Sequence, residues 1–531
     1  MFVRIFRICF SVFAPGMVWV MTVQGQVQDF DYITANGSIT ITGYHGPGGV
    51  VVIPVTINGL PVTTIGNNAF DSLSRVGSVT IPDGITSIGT SSFMYCALTN
   101  FDLAESVTNI GQMAFYGCSG LTSVTIPKGV KNLGVEAFGL CGALTNLTME
   151  SGLISLEEGA FFGCGGLTSV TLPPTVASLA DGVFSWCSGL KSVSIPGPVT
   201  NFQGGMFDNC YSLTGIVLPA GINNIGWGTF ADCGTLAQVT IPDSVTNIDD
   251  QAFAYCTSLT NIVIPKNVGT IGHFAFVGCT KLTGLSVESL NLVYSSADGS
   301  LFDKSQGTLV GASPGKTGVY DIPNGVTNVG PEAFVACRSL SSVTIPDSLT
   351  SVGPDAFEFF SGLSQIAIPN TVLNIGTNAF AGCTMLASMT IGSGVTNIED
   401  DAFTECTNLH RAYFQGNAPR IGKDVFFNDY VLTVYYLDGT TGWTSVFGGR
   451  PAVLWNPKAQ TNAEGFGVRQ NRFGFNITGT PDIPLVVEAS TNAAAGSWVS
   501  LQSGTLTNGL IYFIDPQWTN YPNRLYRIRS P

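Results

Sequence analysis

Residues 121–143 read "LTSVTIPKGVKNLGVEAFGLCGA", and nearly the same 23 residues recur along most of the chain. The Phe of the "AF" pair marks the period, because it returns in steps of 23 residues, with one step of 22 and one longer gap after Phe276. The 15 copies are marked by Phe70, Phe93, Phe115, Phe138, Phe161, Phe184, Phe207, Phe230, Phe253, Phe276, Phe334, Phe357, Phe380, Phe403 and Phe426. A period of this length is typical of a repeat solenoid, in which each unit buries its apolar face only against its neighbours.

Each copy contains two short extended pieces and one compact segment. "LTSVTIP" (121–127) alternates apolar and polar residues, as a strand with one buried face would. "VTNIG" (107–111) predicts a second, shorter strand, and we expect the segment from "AF" to the cysteine to form a turn of helix. At a strand spacing of about 4.8 Å, about 15 coils would stack into a curved, monomeric rod roughly 70 Å long.

The cysteines follow the repeat. Of 13 in the chain, Cys9 lies near the N-terminus and the other 12 occupy one repeat position, which Leu73, Phe360 and Asp429 fill in the remaining copies. A disulfide framework would suit an exported protein. Stacked Cβ atoms, however, would lie about 4.8 Å apart, whereas a bridge prefers about 3.8 Å. We therefore interpret the position as a buried free thiol that packs as a small hydrophobe.

The N-terminus has the features of an export signal. Arg4 and Arg7 precede the apolar stretch 8–23, and a cleavage site after Gly25 fits the small residues there. We therefore predict a signal peptide over residues 1–25, although a buried N-terminal helix is the alternative. No other segment has the length to span a bilayer. The mature protein is expected to be secreted or held at the cell surface, with no membrane span after signal cleavage.

The repeat resembles the BspA-like leucine-rich repeat family of bacterial and protist surface proteins, and the resemblance covers roughly residues 30–457. It implies a leucine-rich repeat rod of mostly short β-strands with short helical turns, and an extracellular binding or adhesion role without catalytic motifs. On this interpretation residues 26–69 form an N-terminal cap and residues 70–430 the solenoid. The solenoid carries a hairpin-bearing insert near 287–325, and residues 431–457 form a C-terminal cap.

The last part of the chain departs from the repeat. Residues 458–464 read as a polar linker, and four or five strand-like pieces separated by turns follow it. We predict a small all-β domain over residues 465–531. A role in sorting or surface retention is one hypothesis for this domain.

The charges and the histidines limit which partners and which metal sites the sequence predicts. A net charge of −14 without any basic run argues against nucleic acid as a partner. His45, His273 and His410 lie far apart in the repeat series, so they do not predict a three-histidine metal site. The acidic clusters in "IDDQAF" (248–253; Asp249 and Asp250) and "IEDDAF" (398–403; Glu399, Asp400 and Asp401) precede the compact segment, where the backbone dipole favours acids. A weak calcium site there stays open, and we predict neither enzyme activity nor a cofactor.

The outward face of the longer strand is the more informative surface. Ser123 and Thr125 should point outward, as should the pairs Ser169/Thr171, Ser192/Ser194, Gln238/Thr240, Asn261/Val263, Ser342/Thr344 and Ser388/Thr390. This ladder of hydroxyls and amides could hold a glycan or an extended protein ligand of unknown identity. Arg411 and Tyr413 are the candidate ligand-binding residues, since Arg and Tyr are enriched at binding hot spots. The alternative is a structural surface or matrix component without a foreign ligand.

Overall fold

A computed structural model describes the side chains and backbone of most of the protein. The described residues are 27–335, 337–462, 465–492, 498–521 and 523–529, so the expected signal peptide (1–25) lies outside them. Contacts divide the chain into two compact units, Met1–Leu190 and Lys191–Pro531. Among the described residues, no helix has the length and apolar character needed to cross a membrane.

The fold is a leucine-rich repeat solenoid of about 17 turns with almost no helix. Each turn contributes a longer and a shorter strand. Within each unit the shorter strands pair in parallel with their equivalents over several successive turns, whereas many of the longer strands pair in parallel with only one neighbouring turn. In the first unit, Ser123–Ile126 pairs with Asn146–Met149, and Asn132–Leu133 pairs with Ser155–Leu156. The predicted solenoid class is therefore confirmed.

The first unit begins with a 3₁₀ turn, Val27–Asp29. Its strands are Phe30–Ala35, Ser38–Tyr44, Gly49–Val52, Thr56–Ile57, Leu60–Ile65, Val76–Thr80, Ser87–Ile88, Asn100–Asp102, Asn109–Ile110, Ser123–Ile126, Asn132–Leu133, Asn146–Met149, Ser155–Leu156, Ser169–Thr171 and Ser178–Leu179. The strand Ser38–Tyr44 joins the ladder of shorter strands by pairing in parallel with Leu60–Ile65.

The solenoid part of the second unit repeats the alternation. Its strands are Ser192–Ser194, Asn201–Phe202, Gly215–Val217, Asn224–Ile225, Gln238–Thr240, Asn247–Ile248, Asn261–Ile264, Thr270–Ile271, Gly284–Val287, Tyr294–Ala297, Ser300–Asp303, Thr308–Gly311, Gly318–Asp321, Asn328–Val329, Leu340–Thr344, Ser351–Val352, Gln365–Ile368, Asn374–Ile375, Ser388–Ile391, Asn397–Ile398, Arg411–Phe414, Arg420–Ile421, Thr433–Leu437, Val446–Phe447 and Arg450–Trp455. Tyr294–Ala297 and Ser300–Asp303 form an antiparallel hairpin, after which Thr308–Gly311 resumes the parallel ladder.

The last residues form two antiparallel sheets. One contains Lys458–Ala459, Phe466–Arg469, Arg472–Thr478 and Leu510–Asp515, and the other contains Pro484–Ser490, Val499–Thr505 and Leu525–Arg529. A 3₁₀ turn spans Trp518–Asn520. The segment expected as a linker therefore begins with a strand, since Lys458 and Ala459 pair with Thr478 and Ile477.

The segment from "AF" to the cysteine is a series of tight turns rather than a turn of helix. Alternate N–H groups, such as that of Cys118, donate to the carbonyl three residues earlier. The intervening N–H groups donate to the next turn of the solenoid, as in Phe115 N–H to the Ala137 oxygen at 2.8 Å. This alternation requires left-handed backbone at Met113 (φ 53°) and Gly117 (φ 70°). The geometry replaces intrahelical bonds with bonds between turns.

The repeated Phe residues stack inside each unit. Ring centroids of successive Phe residues lie 4.8–5.9 Å apart in the first unit and 4.7–5.8 Å apart along the regular turns of the second. The rings are close to parallel, as for Phe115 and Phe138 at 6°. Tyr44 stacks on Phe70 at 5.3 Å and so covers the first ring of this Phe ladder.

The repeated cysteines are buried free thiols, as the sequence indicated. The Cys118 thiol donates to the Phe93 carbonyl at 3.1 Å, and the Cys141 thiol donates to the Phe115 carbonyl at 3.3 Å. Burial raises the pKa of the Cys141 thiol to about 12. Since the thiolate is the reactive form, these groups should be chemically inert in the folded protein.

Asp429 occupies the cysteine position in the last "AF" turn and is fully buried. Neither of its carboxylate oxygens has a hydrogen-bond partner. Burial raises the pKa of this carboxyl from its ordinary value of 3.8 to about 7. Burial outweighs the Arg450 charge and the Cys406 backbone, which lower the pKa of this carboxyl, so the neutral form is favoured and ionisation of Asp429 opposes folding.

We predict that Asp429 makes the stability of this region fall as pH rises. The folded state holds the proton up to about pH 7, whereas the unfolded state releases it near 3.8. The free energy of unfolding should therefore fall by about 1.4 kcal/mol per pH unit within that window. Urea unfolding of Asp429→Cys across pH 4–7 should lack this slope. The exposed Asp424→Asn should keep it, and an unchanged slope in Asp429→Cys would contradict the assignment.

A second prediction concerns the thiols. The 12 buried cysteines should not react with a thiol reagent such as DTNB in native protein at pH 8. In guanidinium without reductant all 12 should react, together with Cys9 where residues 1–25 are retained. Fewer reactive thiols in the unfolded protein would indicate disulfides and refute the assignment.

Candidate functional site

The outward face of the longer strands carries small polar side chains in register. In the first unit Ser123 lies beside Asn146, and Thr125 lies beside Thr148. Thr125, Asn146 and Thr148 are exposed, whereas Val124 on the same strand is buried. The alternation follows from the two-residue period of a strand, which places successive side chains on opposite faces. The result is a row in which hydroxyls and amides predominate, although Asp102 in the first unit and Val217 in the second interrupt it.

In the second unit this outward face changes character at its last turns. Thr390, Tyr413 and Tyr435 are successive neighbours across parallel strands, and Tyr435 is followed by Val453. The side chains on this row become large and apolar as it approaches the C-terminal sheets. Tyr413 and Tyr435 stack with ring centroids 5.1 Å apart, and the Trp455 ring meets Tyr413 edge-on at 6.4 Å.

The C-terminal sheets cover this aromatic end of the row. Tyr413 and Tyr435 share one apolar core with Phe475, Leu485 and Phe513. The other buried members are Ile477, Ile483, Val487 and Leu506. The two C-terminal sheets therefore pack against the solenoid within the second unit.

Polar contacts reinforce this packing. The Trp455 indole N–H donates to the Pro484 carbonyl at 2.8 Å. The Asn456 side-chain oxygen accepts from the Thr480 N–H at 2.7 Å and from its hydroxyl at 2.9 Å. These bonds fix the C-terminal sheets against the last solenoid strand.

The two predicted binding residues are placed differently. Arg411 is exposed, but only 5% of Tyr413 is accessible. The Tyr413 hydroxyl is buried without a hydrogen-bond partner, and burial raises the pKa of this phenol. In this arrangement only Arg411 of the pair could meet a ligand from solvent. Outward aromatics in three successive strands, Arg411–Phe414, Thr433–Leu437 and Arg450–Trp455, were the sequence signal of a covered face.

Carboxylates of the two acidic clusters accept hydrogen bonds between turns. The Asp250 carboxylate accepts from the His273 N–H at 2.8 Å, and the Asp400 carboxylate accepts from the Lys423 N–H at 2.7 Å. Glu399 accepts from the Thr377 N–H at 3.1 Å. Throughout the described residues, no group of three or more His, Cys, Asp or Glu side chains is arranged to hold a metal ion.

Each histidine has a local partner. His45 Nε2 lies 2.5 Å from the Asp31 carboxylate, and the His410 ring bonds the Asn408 carbonyl. His273 Nδ1 lies 2.7 Å from the Glu332 carboxylate, and this hydrogen bond and the negative charge of Glu332 raise the pKa of His273. None of these contacts places a histidine beside a nucleophile.

The unpartnered hydroxyl of Tyr413 gives a testable consequence. A buried polar group without a partner costs about 1–3 kcal/mol. Tyr413→Phe should therefore raise the free energy of unfolding of the second unit by about 1 kcal/mol, measured by urea denaturation. The matched control is Tyr512→Phe. The Tyr512 side chain is 37% exposed, so loss of its hydroxyl should change the free energy of unfolding little. Destabilisation by Tyr413→Phe would show that the hydroxyl has a partner.

The repeated part of the chain matches a known protein family. A model of the BspA type leucine rich repeat region matches residues 63–191, 177–305 and 318–433. None of the curated proteins matches the chain.

Solved structures similar to this chain include the following three proteins. A leucine rich cell surface protein from Faecalibacterium prausnitzii is 29% identical, with a TM-score of 0.44, over 78% of this chain and 95% of that one. A leucine-rich repeat protein from Bacteroides ovatus is 24% identical, with a TM-score of 0.49, over 81% and 99%. The pneumococcal vaccine antigen PcpA is 16% identical, with a TM-score of 0.34, over 81% and 98%.

The family matches cover more than half of the chain and coincide with the turns whose Phe and Cys side chains stack. The protein therefore belongs to the BspA-type leucine-rich repeat family.

Proposed function

We propose that this protein is an extracellular or cell-surface binding protein that uses the outward face of its longer strands to hold a protein or glycan ligand. The observation that carries the proposal is the row of small side chains along that face, most of them polar and uncharged, exemplified by Thr125 and Thr148. The family suggests a protein-interaction or adhesion role of this kind. The expected signal peptide over residues 1–25 supports export.

The geometry of this row favours an extended ligand over a compact one. Adjacent parallel strands lie about 4.8 Å apart, so hydroxyls and amides recur at that interval. Ser123, Thr125, Asn146 and Thr148 offer both donors and acceptors, with no charge to desolvate. Such a face can form repeated hydrogen bonds with a linear glycan or an extended polypeptide. Arg411 remains a candidate contact where this row approaches the C-terminal sheets.

The proposal is tested with the full chain. Removing residues 458–531 would expose Tyr413 and Tyr435, whose side chains the C-terminal sheets cover. Full-length protein is applied to glycan and matrix-protein arrays and to the producing cells. Thr148→Arg places a bulky cation in the middle of the row, and it should weaken binding of any captured ligand at least tenfold.

The matched control is Ala177→Arg, since Ala177 is exposed and lies beside the shorter strand Ser178–Leu179 instead. It should bind as the unmodified protein does. Equal losses of binding affinity in Thr148→Arg and Ala177→Arg would contradict binding at the outward face. Binding to the producing cells alone, unaffected by Thr148→Arg, would favour a structural surface component.

A further inference from the structure

The Phe ladder of the second unit is interrupted once in its described part. Phe253 and Phe276 stack at 5.7 Å, and Phe334 and Phe357 stack at 4.7 Å. The insert, which carries the hairpin, lies between Phe276 and Phe334. Phe253, Phe334 and Phe357 are fully buried, but Phe276 is only partly buried. One face of the Phe276 ring therefore lacks the aromatic neighbour that a regular turn would supply.

Backbone register identifies the residue that stands where the missing Phe would be. In a regular turn, the N–H of the ladder Phe donates to the carbonyl of the Ala that precedes the next Phe. Phe334 follows this rule, with its N–H 2.7 Å from the Ala356 oxygen. In the insert, the Ala312 N–H makes the same bond to the Ala333 oxygen at 2.8 Å. Ala312 therefore holds the Phe position with a methyl group in place of a ring.

A pocket occupies the space that this substitution leaves. Its volume is about 260 Å³, and its walls are mainly apolar. Lining side chains include Phe276, Leu285, Leu301, Val310, Ala312 and Ala333. An apolar cavity of about 150 Å³, made in another protein by removing a large side chain, stays dry and binds benzene. The present pocket is large enough for one planar aromatic group.

The rim of the pocket is polar on one side. His273 and Glu332 are lining residues, joined by the 2.7 Å bond between His273 Nδ1 and Glu332 Oε1. The other Glu332 oxygen accepts from the Phe274 N–H at 3.0 Å. The His273 side chain is 65% exposed, so this pair marks the solvent side of the pocket. A hydroxyl or amino group on a bound ring could reach the pair.

We propose that this pocket binds a ligand with one planar aromatic group, such as a benzene ring or an indole, which takes the missing position in the Phe ladder and stacks on Phe276. Aromatic pairs at centroid distances of 4.5–7 Å gain about 0.5–1.5 kcal/mol beyond area burial. The ladder already places its rings within that range. The site does not depend on the outward strand face, so it extends the proposed function without resting on it.

The first test titrates the full-length protein with indole and phenol, followed by saturation-transfer NMR and calorimetry. Both aromatic probes should bind with one site per chain. Cyclohexanol, of similar size to phenol but without an aromatic face to stack, should bind several-fold more weakly. If neither indole nor phenol binds at millimolar concentration, the proposal is overturned.

The decisive variant is Ala312→Phe, which restores the repeat residue and fills the pocket. It should weaken indole binding at least tenfold and leave the thermal midpoint equal or higher. If Ala312→Phe does not fold, Ala312→Leu is the second variant, because its smaller side chain still fills part of the pocket. Val293→Phe adds a ring elsewhere in the insert, at a side chain 43% exposed, and should bind as the unmodified protein does. Folded Ala312 variants that still bind indole normally would refute the site.

Two sources of the ring are distinguished by further probes. N-acetyl-L-phenylalaninamide and a tripeptide with a central Phe represent the side chain of a partner polypeptide. If they bind competitively with indole, the site accepts a protein side chain. If only indole and phenol bind, the site takes free aromatic small molecules. Either result supports a ring-binding pocket at Ala312.

Discussion

Hydrogen bonds between the backbones of successive turns are the interaction on which this structure depends. A turn of 23 residues has no helix and no internal sheet, so its N–H groups find acceptors one turn away, as the Phe115 N–H does at Ala137. Leaving buried backbone groups unpaired would be costly. The period is therefore kept nearly constant, and side chains at equivalent positions stack. The Phe ladder and the buried thiols follow from this register.

Departures from the repeat are accommodated where the backbone register can be resumed. The insert adds a hairpin, yet Thr308–Gly311 again pairs in parallel with Asn328–Val329. Ala312 retains the backbone bond of the Phe position but lacks the ring, which leaves the pocket beside Phe276. Asp429 retains the cysteine position but brings a carboxyl into the core. At both positions the backbone follows the repeat but the side chain departs from it. The departure leaves a pocket at Ala312 and buries a carboxyl at Asp429.

The C-terminal sheets contribute to the solenoid as well as to their own core. The polar outward face of the longer strands ends in Tyr413, Tyr435 and Trp455, and the apolar interior of the C-terminal sheets covers them. If this apolar face were exposed, it would favour association with other protein molecules. The same packing limits the accessible part of the outward row to the turns before it. It also places Arg411 at the border between open and covered surface.

The sequence by itself determined the repeat, the alternation along the longer strands and the buried state of the thiols, because each depends on residues spaced by one period. The tight turns between "AF" and the cysteine were expected as helix, since the pattern does not reveal that alternate N–H groups bond to the next turn. Only the tertiary structure decided that Tyr413 is covered and that Ala312 stands at a Phe position. Both depend on segments brought together by folding, the C-terminal sheets in one case and the hairpin-bearing insert in the other. Periodicity cannot report contacts between residues that lie outside the period.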